Sequence, residues 1–250
     1  MPIADTPTLL ALSRGASSER ARRRLLPGAL GALEQETHEA LLAATLAAGR
    51  ESGCRLAVSS PTPRGEAGEI AWIAQSGTDF GSRLEASVAR CAALGSGPLL
   101  IAASDVPGLS SGHLLRAISW LAEDPDRVVL GPSPDGGMYL VAFARPIPHL
   151  ATAARWCRRD TLASFVRTLA ALGRPVAFLP PLRDLDRRTD LDRWLAGRSA
   201  AELFRTLRRD LRAALSTLLR PAASRVLGRL LVGFESKRAG RAPPPLFSPA

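Results

Sequence analysis

A chain of 250 residues, 46% hydrophobic and 22% charged, is long enough for one large domain or for a domain with an appendage. That balance excludes wholesale disorder, and at this length a core forms without disulfides or a structural metal. The 33 Lys and Arg residues exceed the 23 Asp and Glu by ten, giving a net charge of +10 that invites an anionic partner.

The basic excess is almost all arginine, because Lys237 is the only lysine. Arginine's planar fork suits phosphate. No helix-turn-helix, RNA-binding signature or aromatic-interleaved basic groove accompanies it, so a nucleotide or sugar phosphate fits the charge better than nucleic acid. Cys54, Cys91 and Cys157 are far apart, as are His38, His113 and His149, which argues against a disulfide framework or a zinc site. The first thirteen residues carry Asp5 and only a short apolar run, unlike a signal peptide. No stretch reaches the roughly 18 apolar residues of a membrane span, so the expected compartment is the cytoplasm.

Short apolar runs alternate with helical stretches along the chain. Strands are predicted over Thr8 to Ser13, Cys54 to Ser59, Ile70 to Ala74 and Pro98 to Ser104. Further strands follow over Arg127 to Leu130, Met138 to Phe143 and Pro175 to Leu179. Helical spacing covers Leu30 to Arg50, Asp79 to Leu94, a stretch capped by Ser110 or Ser111 that runs through Ala122, and Thr161 to Leu172. Continuous apolar strands between amphipathic helices predict an α/β fold, a mostly parallel sheet covered on both faces. Such sheets bind ligands beyond the carboxyl ends of their strands.

Beyond about Leu195 the pattern changes. Residues 1–196 read as the α/β domain, 197–236 as a basic amphipathic helical extension, and 237–250 as a Pro-rich disordered tail. The extension suits packing on its own domain better than lying on a membrane or partner.

Four segments lie at predicted strand ends. In Leu99 to Leu109, Asp105 follows an apolar strand and suits Mg²⁺ or Mn²⁺, though a strand-end Asp also caps turns. In Leu130 to Leu140, Gly136 and Gly137 allow a close ligand approach, while Asp135 serves either the turn or an acceptor as base. In the loop Gln75 to Arg83, the backbone around Gly77 and the Arg83 side chain suit an anion, with Asp79 as a helix cap. In Leu182 to Trp194, Asp186 is a second candidate metal ligand, whereas Asp190 and Asp192 start a helix and pair with neighbouring arginines.

In this order the segments Q-S-G-T-D-F-G-S-R, S-D-V-P-G-L, G-P-S-P-D-G-G-M-Y-L and D-L-D resemble a known set. They are similar to the hallmarks of the glycosyltransferase-like family termed radical-SAM/selenodomain-associated transferases, itself similar to GT-A type nucleotide-diphospho-sugar transferases. The resemblance covers roughly residues 8–196. It implies a three-layer αβα fold and a nucleotide over the N-terminal half, with a divalent metal near Asp105. The family's first loop resembles P-x-P-G-x-x-K-T-R-L. This chain reads A-S-S-E-R-A-R-R-R-L there, with Glu19 for the glycine and Arg22 for the lysine, while Arg24 is kept.

The resulting expectation is a metal-assisted glycosyltransferase-like enzyme using a nucleotide sugar. Asp105 and Asp186 are its metal ligands and Asp135 its acceptor contact or base. Arg22, Arg24, Gln75, Gly77, Arg83, Gly136 and Gly137 hold the nucleotide. Two rival expectations are a guanylyltransferase-like nucleotidyltransferase that releases pyrophosphate, and a diverged binding module disabled by Glu19.

Overall fold

The computed structural model describes residues 6–13, 31–64 and 68–196. Arg22, Arg24 and Glu19, together with the helical extension and the tail, lie outside the described residues.

The strands are β1 Thr8–Leu12, β2 Arg55–Ser60, β3 Ile70–Ala74, β4 Leu99–Ala103, β5 Val128–Pro132, β6 Met138–Phe143 and β7 Val176–Phe178. The helices are α1 Gly31–Glu51, α2 Phe80–Ala92, α3 Ser111–Glu123, α4 Leu150–Ala153, α5 Thr161–Ala171 and α6 Arg188–Ala196. Each strand and helix predicted within the described residues is present, with ends shifted by at most two residues. The four-residue α4 was not predicted; it is too short to carry a periodic signal.

The seven strands form one sheet in the order β3-β2-β1-β4-β6-β5-β7. Every pairing is parallel except those of β6, which runs antiparallel to both β4 and β5. The strands read as apolar runs because both faces are covered. Leu9, Ala11, Leu56, Val58, Leu100 and Ala102 face α1 and α3, whereas Leu10, Ala57, Leu99 and Ile101 face α2, α4 and α5. The helices answer with apolar stripes at helical spacing, Leu84, Val88 and Cys91 on α2 and Leu114, Ala117 and Leu121 on α3.

Topology selects one place for a ligand. From β1 the chain crosses one face through α1 to reach β2, and α2 later returns it across the other face to β4. Strand order therefore reverses between β1 and β4, and the crevice of an open α/β sheet lies at such a switch point.

One packing constraint tightens the far half. Gly131 of β5 lies under the buried ring of Tyr139, so closely that a Cβ would overlap the ring. Gly131→Ala must displace a fully enclosed aromatic, and overpacking of this kind costs about 1–3 kcal/mol. A lower urea midpoint at unchanged m-value is the expected result.

Candidate functional site

The carboxyl edge of the sheet gathers Ser13 after β1, Ser60 ending β2, Gln75 after β3 and Asp105 after β4. Because β6 is antiparallel, its start lies at the same edge, and so does the 133–137 turn that joins it to β5.

A connector after β7 completes the edge. Leu179 N–H donates to Leu130 O at 2.8 Å, Leu182 N–H to Pro132 O at 3.1 Å and Leu185 N–H to Asp105 O at 3.0 Å. The segment thus crosses from β5 to the end of β4. Tyr139 secures it from below by donating its hydroxyl to Pro180 O at 2.9 Å. Burial pushes the Tyr139 phenol up to about 12, which keeps it a donor throughout the working range. Gly108 admits the connector from the side, since a Cβ there would lie 3.2 Å from Leu182.

The bond from Leu185 to Asp105 places Asp186 beside the end of β4. Asp105 is 8% exposed, and Asp186 Oδ1 is withdrawn from solvent. Two acidic residues from distant parts of the chain, Asp105 and Asp186, are therefore carried by segments that join at the end of β4. Among the described residues no group of three or more His, Cys, Asp or Glu side chains gathers. A pair of carboxylates still fits a hard divalent cation, which usually completes its shell with water and substrate phosphates.

The Gln75 to Arg83 loop forms the neighbouring wall. Gln75 donates its side-chain amide to Ser13 O at 3.0 Å and Ser59 O at 3.2 Å, and its backbone N–H to Ser60 O at 3.0 Å. Both amide hydrogens are thereby spent on tying the ends of β1 and β2 together. Gly77 has φ 139, and a Cβ on it would lie 2.7 Å from Arg83 N. Glycine is what lets the loop close on the start of α2. Arg83 is half-buried, and its guanidinium makes no hydrogen bond or salt bridge among the described residues.

Asp79 caps α2 as the sequence predicted. Ser82 N–H donates to Asp79 Oδ1 at 2.8 Å, and Ser82 Oγ accepts from Asp79 N–H at 3.1 Å. Ser110 behaves differently from expectation. It occupies the position before α3 but makes no side-chain cap bond, because its hydroxyl pairs with His113 Nδ1 at 2.8 Å instead.

Asp135 lies exposed at the tip of the turn between β5 and β6, where Oδ1 accepts from Gly137 N–H at 2.9 Å. Gly136 has φ 92, and a Cβ there would run into Arg159 O. These residues build the turn and press it against the loop before α5. Asp190 and Asp192 start and pair along α6 as expected: Arg187 N–H donates to Asp190 at 3.0 Å, and Arg188 meets Asp192 at 2.7 Å.

The structure therefore brings Asp105, Asp186, Gln75, Gly77, Arg83, Asp135, Gly136 and Gly137 to one sheet edge. Sequence reasoning missed the connector and its Tyr139 anchor. The leucines at three-residue spacing around the proline pair, Leu179, Leu182 and Leu185, were the available signal.

With this geometry in hand, comparison places the chain. A family model described as "Uncharacterized protein conserved in bacteria (DUF2064)" matches residues 29–158, just over half of the sequence. The chain belongs to this family. No curated protein matches it.

Among solved structures it resembles a protein from Desulfovibrio desulfuricans G20 assigned as a nucleotide-diphospho-sugar transferase. The TM-score is 0.68 at 18% identity, over 84% of this chain and 97% of that one. Rv0371c from Mycobacterium tuberculosis H37Rv gives a TM-score of 0.52 at 18% identity, covering 77% and 99%. The 4-diphosphocytidyl-2C-methyl-D-erythritol synthase from Anaerococcus prevotii DSM 20548 gives 0.52 at 12%, covering 77% and 97%. At these identities the likeness is one of fold, and the fold is the one expected from the sequence. Among the described residues no helix is long and apolar enough to cross a membrane.

The Asp79 cap yields a pH prediction. Backbone donation from Ser82, helped by the Ser82 hydroxyl and the nearby Arg83 charge, holds the Asp79 carboxyl below its ordinary value. A lowered folded-state pKa stabilises the fold above the unfolded value, near 3.9, and that contribution disappears as pH falls through the folded value. Wild type should melt higher than Asp79→Ala at neutral pH, with the gap narrowing below about pH 4 in thermal scans.

Proposed function

We propose that this DUF2064 protein is a transferase acting on a nucleotide-activated donor, a nucleotide sugar in the first instance. The observation that carries the reading is the Leu185 to Asp105 backbone bond, which brings the segment bearing Asp186 to the end of β4 at the switch point. Carboxylates at the carboxyl ends of parallel strands suit a hard divalent cation whose shell is completed by water and substrate phosphates.

Asp105 and Asp186 would hold Mg²⁺ or Mn²⁺. When bound, that ion would screen the donor diphosphate and stabilise charge on the departing nucleotide. Arg83 would supply a second positive group on the neighbouring wall, and Arg22 and Arg24, which lie between β1 and α1 in sequence, would add further phosphate contacts. Gln75 acts by positioning, fixing the β1 and β2 ends that frame the crevice. Gly77, Gly136 and Gly137 keep the walls close, and Asp135 Oδ2 remains the candidate to receive a proton from the acceptor, at a turn whose Oδ1 is already engaged. The fold equally hosts nucleotidyl transfer, so the product distinguishes the two: a nucleoside diphosphate from sugar transfer, pyrophosphate from nucleotidyl transfer.

Isothermal titration with a panel of nucleoside diphosphates and triphosphates, with and without Mg²⁺ or Mn²⁺, tests this reading. Metal-dependent binding of one base is expected. Even outer-shell changes at metal sites cost 10- to 100-fold, so Asp105→Asn and Asp186→Asn should each weaken metal-dependent binding by at least ~10-fold. Unchanged binding in Asp105→Asn would discard the metal assignment. Absence of any nucleotide binding would favour the diverged module.

We also propose that residues 1–196 are the nucleotide-binding unit and that the basic helical segment beyond them is separable. A chain ending at Ala196 should retain nucleotide affinity within about twofold. Loss of affinity on that truncation would show that the segment completes the site.

A further inference from the structure

The opposite wall of the crevice, between α4 and α5, carries a charge pattern that the donor site does not use. Residues 155–160 read Arg-Trp-Cys-Arg-Arg-Asp, and Arg155, Arg158 and Arg159 are all exposed. Asp160 is the single carboxylate among them. It pairs with Arg155 at 3.0 Å and with Arg158 at 3.4 Å, while Arg159 makes no hydrogen bond or salt bridge among the described residues. Three cations against one anion leave a local charge of about +2, which matches the −1.5 to −2 of a phosphate monoester.

This loop is built rather than loose. Trp156 donates its indole N–H to Ala151 O at 2.6 Å and packs between Phe80 and Phe165, with ring centroids 5.1 and 5.6 Å away. Thr161 accepts from Arg158 N–H at 3.1 Å and returns its hydroxyl to Arg158 O at 2.7 Å. At the far end, Glu85 of α2 accepts from His149 N–H at 2.8 Å and Ala151 N–H at 3.1 Å. Two non-glycine residues, His149 and Cys157, are held at φ 60 and 58, the left-handed region that L side chains disfavour. A free surface loop would relax out of such backbone. Retained strain of this kind gathers at ligand clamps.

Position links the loop to the site. Arg159 O presses against Gly136, and Leu162 N–H donates to Gly136 O at 2.9 Å, so the arginines flank the turn that carries Asp135. Phe80, next to Asp79, joins the other end of the loop to the Gln75 to Arg83 wall. The loop therefore lines the rim beside Asp135, whereas Asp105 and the 179–185 connector lie at the strand ends deeper along the same edge.

We propose that the acceptor is a phosphate monoester whose phosphate sits on Arg158 and Arg159, placing the rest of the molecule against the Asp135 turn. The proposal rests on the transferase reading for the word acceptor; the oxyanion subsite itself is independent of it. Guanidinium groups give a phosphate charge-assisted hydrogen bonds, and the turn at Cys157 fixes the backbone that carries both arginines.

The test uses the full chain with glycerol 3-phosphate as probe, by titration at low ionic strength, beside the nucleotide titration described above. Arg158→Ala/Arg159→Ala should weaken probe binding on the order of tenfold or more and leave nucleotide affinity within about twofold. Arg145→Ala removes a positive charge from the opposite end of β6 and should leave probe binding within about twofold. Wild type that shows no saturable binding of the probe overturns the proposal. So does an equal loss in Arg145→Ala, which would make the effect bulk charge, or a parallel loss of nucleotide affinity, which would give the arginines to the donor. Glycerate binding as tightly as the phosphate would overturn the ligand class. Probe binding with no nucleotide binding would remove the transferase reading while supporting the subsite, so the two failures are distinguishable.

Discussion

Three backbone hydrogen bonds from residues 179, 182 and 185 decide what the carboxyl edge of this sheet can be. Without them the segment after β7 would leave an edge strand and take its acidic residues away from the centre. With them it runs back across β5 and reaches β4 at the point where strand order reverses. Backbone bonds suit this task because they fix position without depending on a side-chain rotamer. Each contributes only about 0.5–1.5 kcal/mol net, yet leaving a buried partner unsatisfied costs more, so the connector resists partial detachment. Tyr139 reinforces it from the core, and Gly131 makes room for Tyr139. A glycine within β5 is thus tied, through one aromatic ring, to the placement of Asp186.

The strands were legible in the sequence because their cause is local: runs such as Leu99 to Ala103 are apolar throughout, as burial on both faces requires. The strand-end residues were legible for a related reason, since the carboxyl edge is where a parallel sheet admits polar groups. What the sequence could not disclose was partnership at long range. Gln75 looked like a ligand contact, yet its amide hydrogens hold Ser13 and Ser59, and only the register of β1 against β2 reveals that use. Ser110 looked like a cap, but His113 one turn on offers its hydroxyl a nitrogen partner. The backbone bond from Leu185 to Asp105 was likewise invisible in spacing, because it depends on how far the connector travels after β7.

Arginine abundance also takes on a different meaning once the chain is folded. Many of the guanidinium groups face carboxylates on the outside of the domain: Arg50 with Glu69, Arg64 with Glu39, Arg127 with Glu123 and Asp124, and Arg174 with Asp126. Exposed pairs of this type add little stability, about 0–1 kcal/mol each, and chiefly neutralise one another. The basicity that matters for an anionic ligand is the remainder. Arg83 and Arg159 belong to that remainder, and both lie on loops at the carboxyl edge. A high isoelectric point by itself thus says less about partners than the pattern of pairing does.

The two walls of the crevice are made by different means, which bears on how the family could diversify. The Asp105 wall is set by strand ends and backbone bonds and has little freedom to change without disturbing the sheet. The 149–160 wall hangs on side chains, Glu85, Trp156 and Thr161, and carries strained backbone at both ends. Substitutions there can alter charge and shape while the sheet and the 179–185 connector stay in place. Loops on a rigid scaffold are where specificity is normally altered. A fixed carboxyl edge facing a variable second wall is the outcome this division of labour favours, because only the second wall can vary at low structural cost.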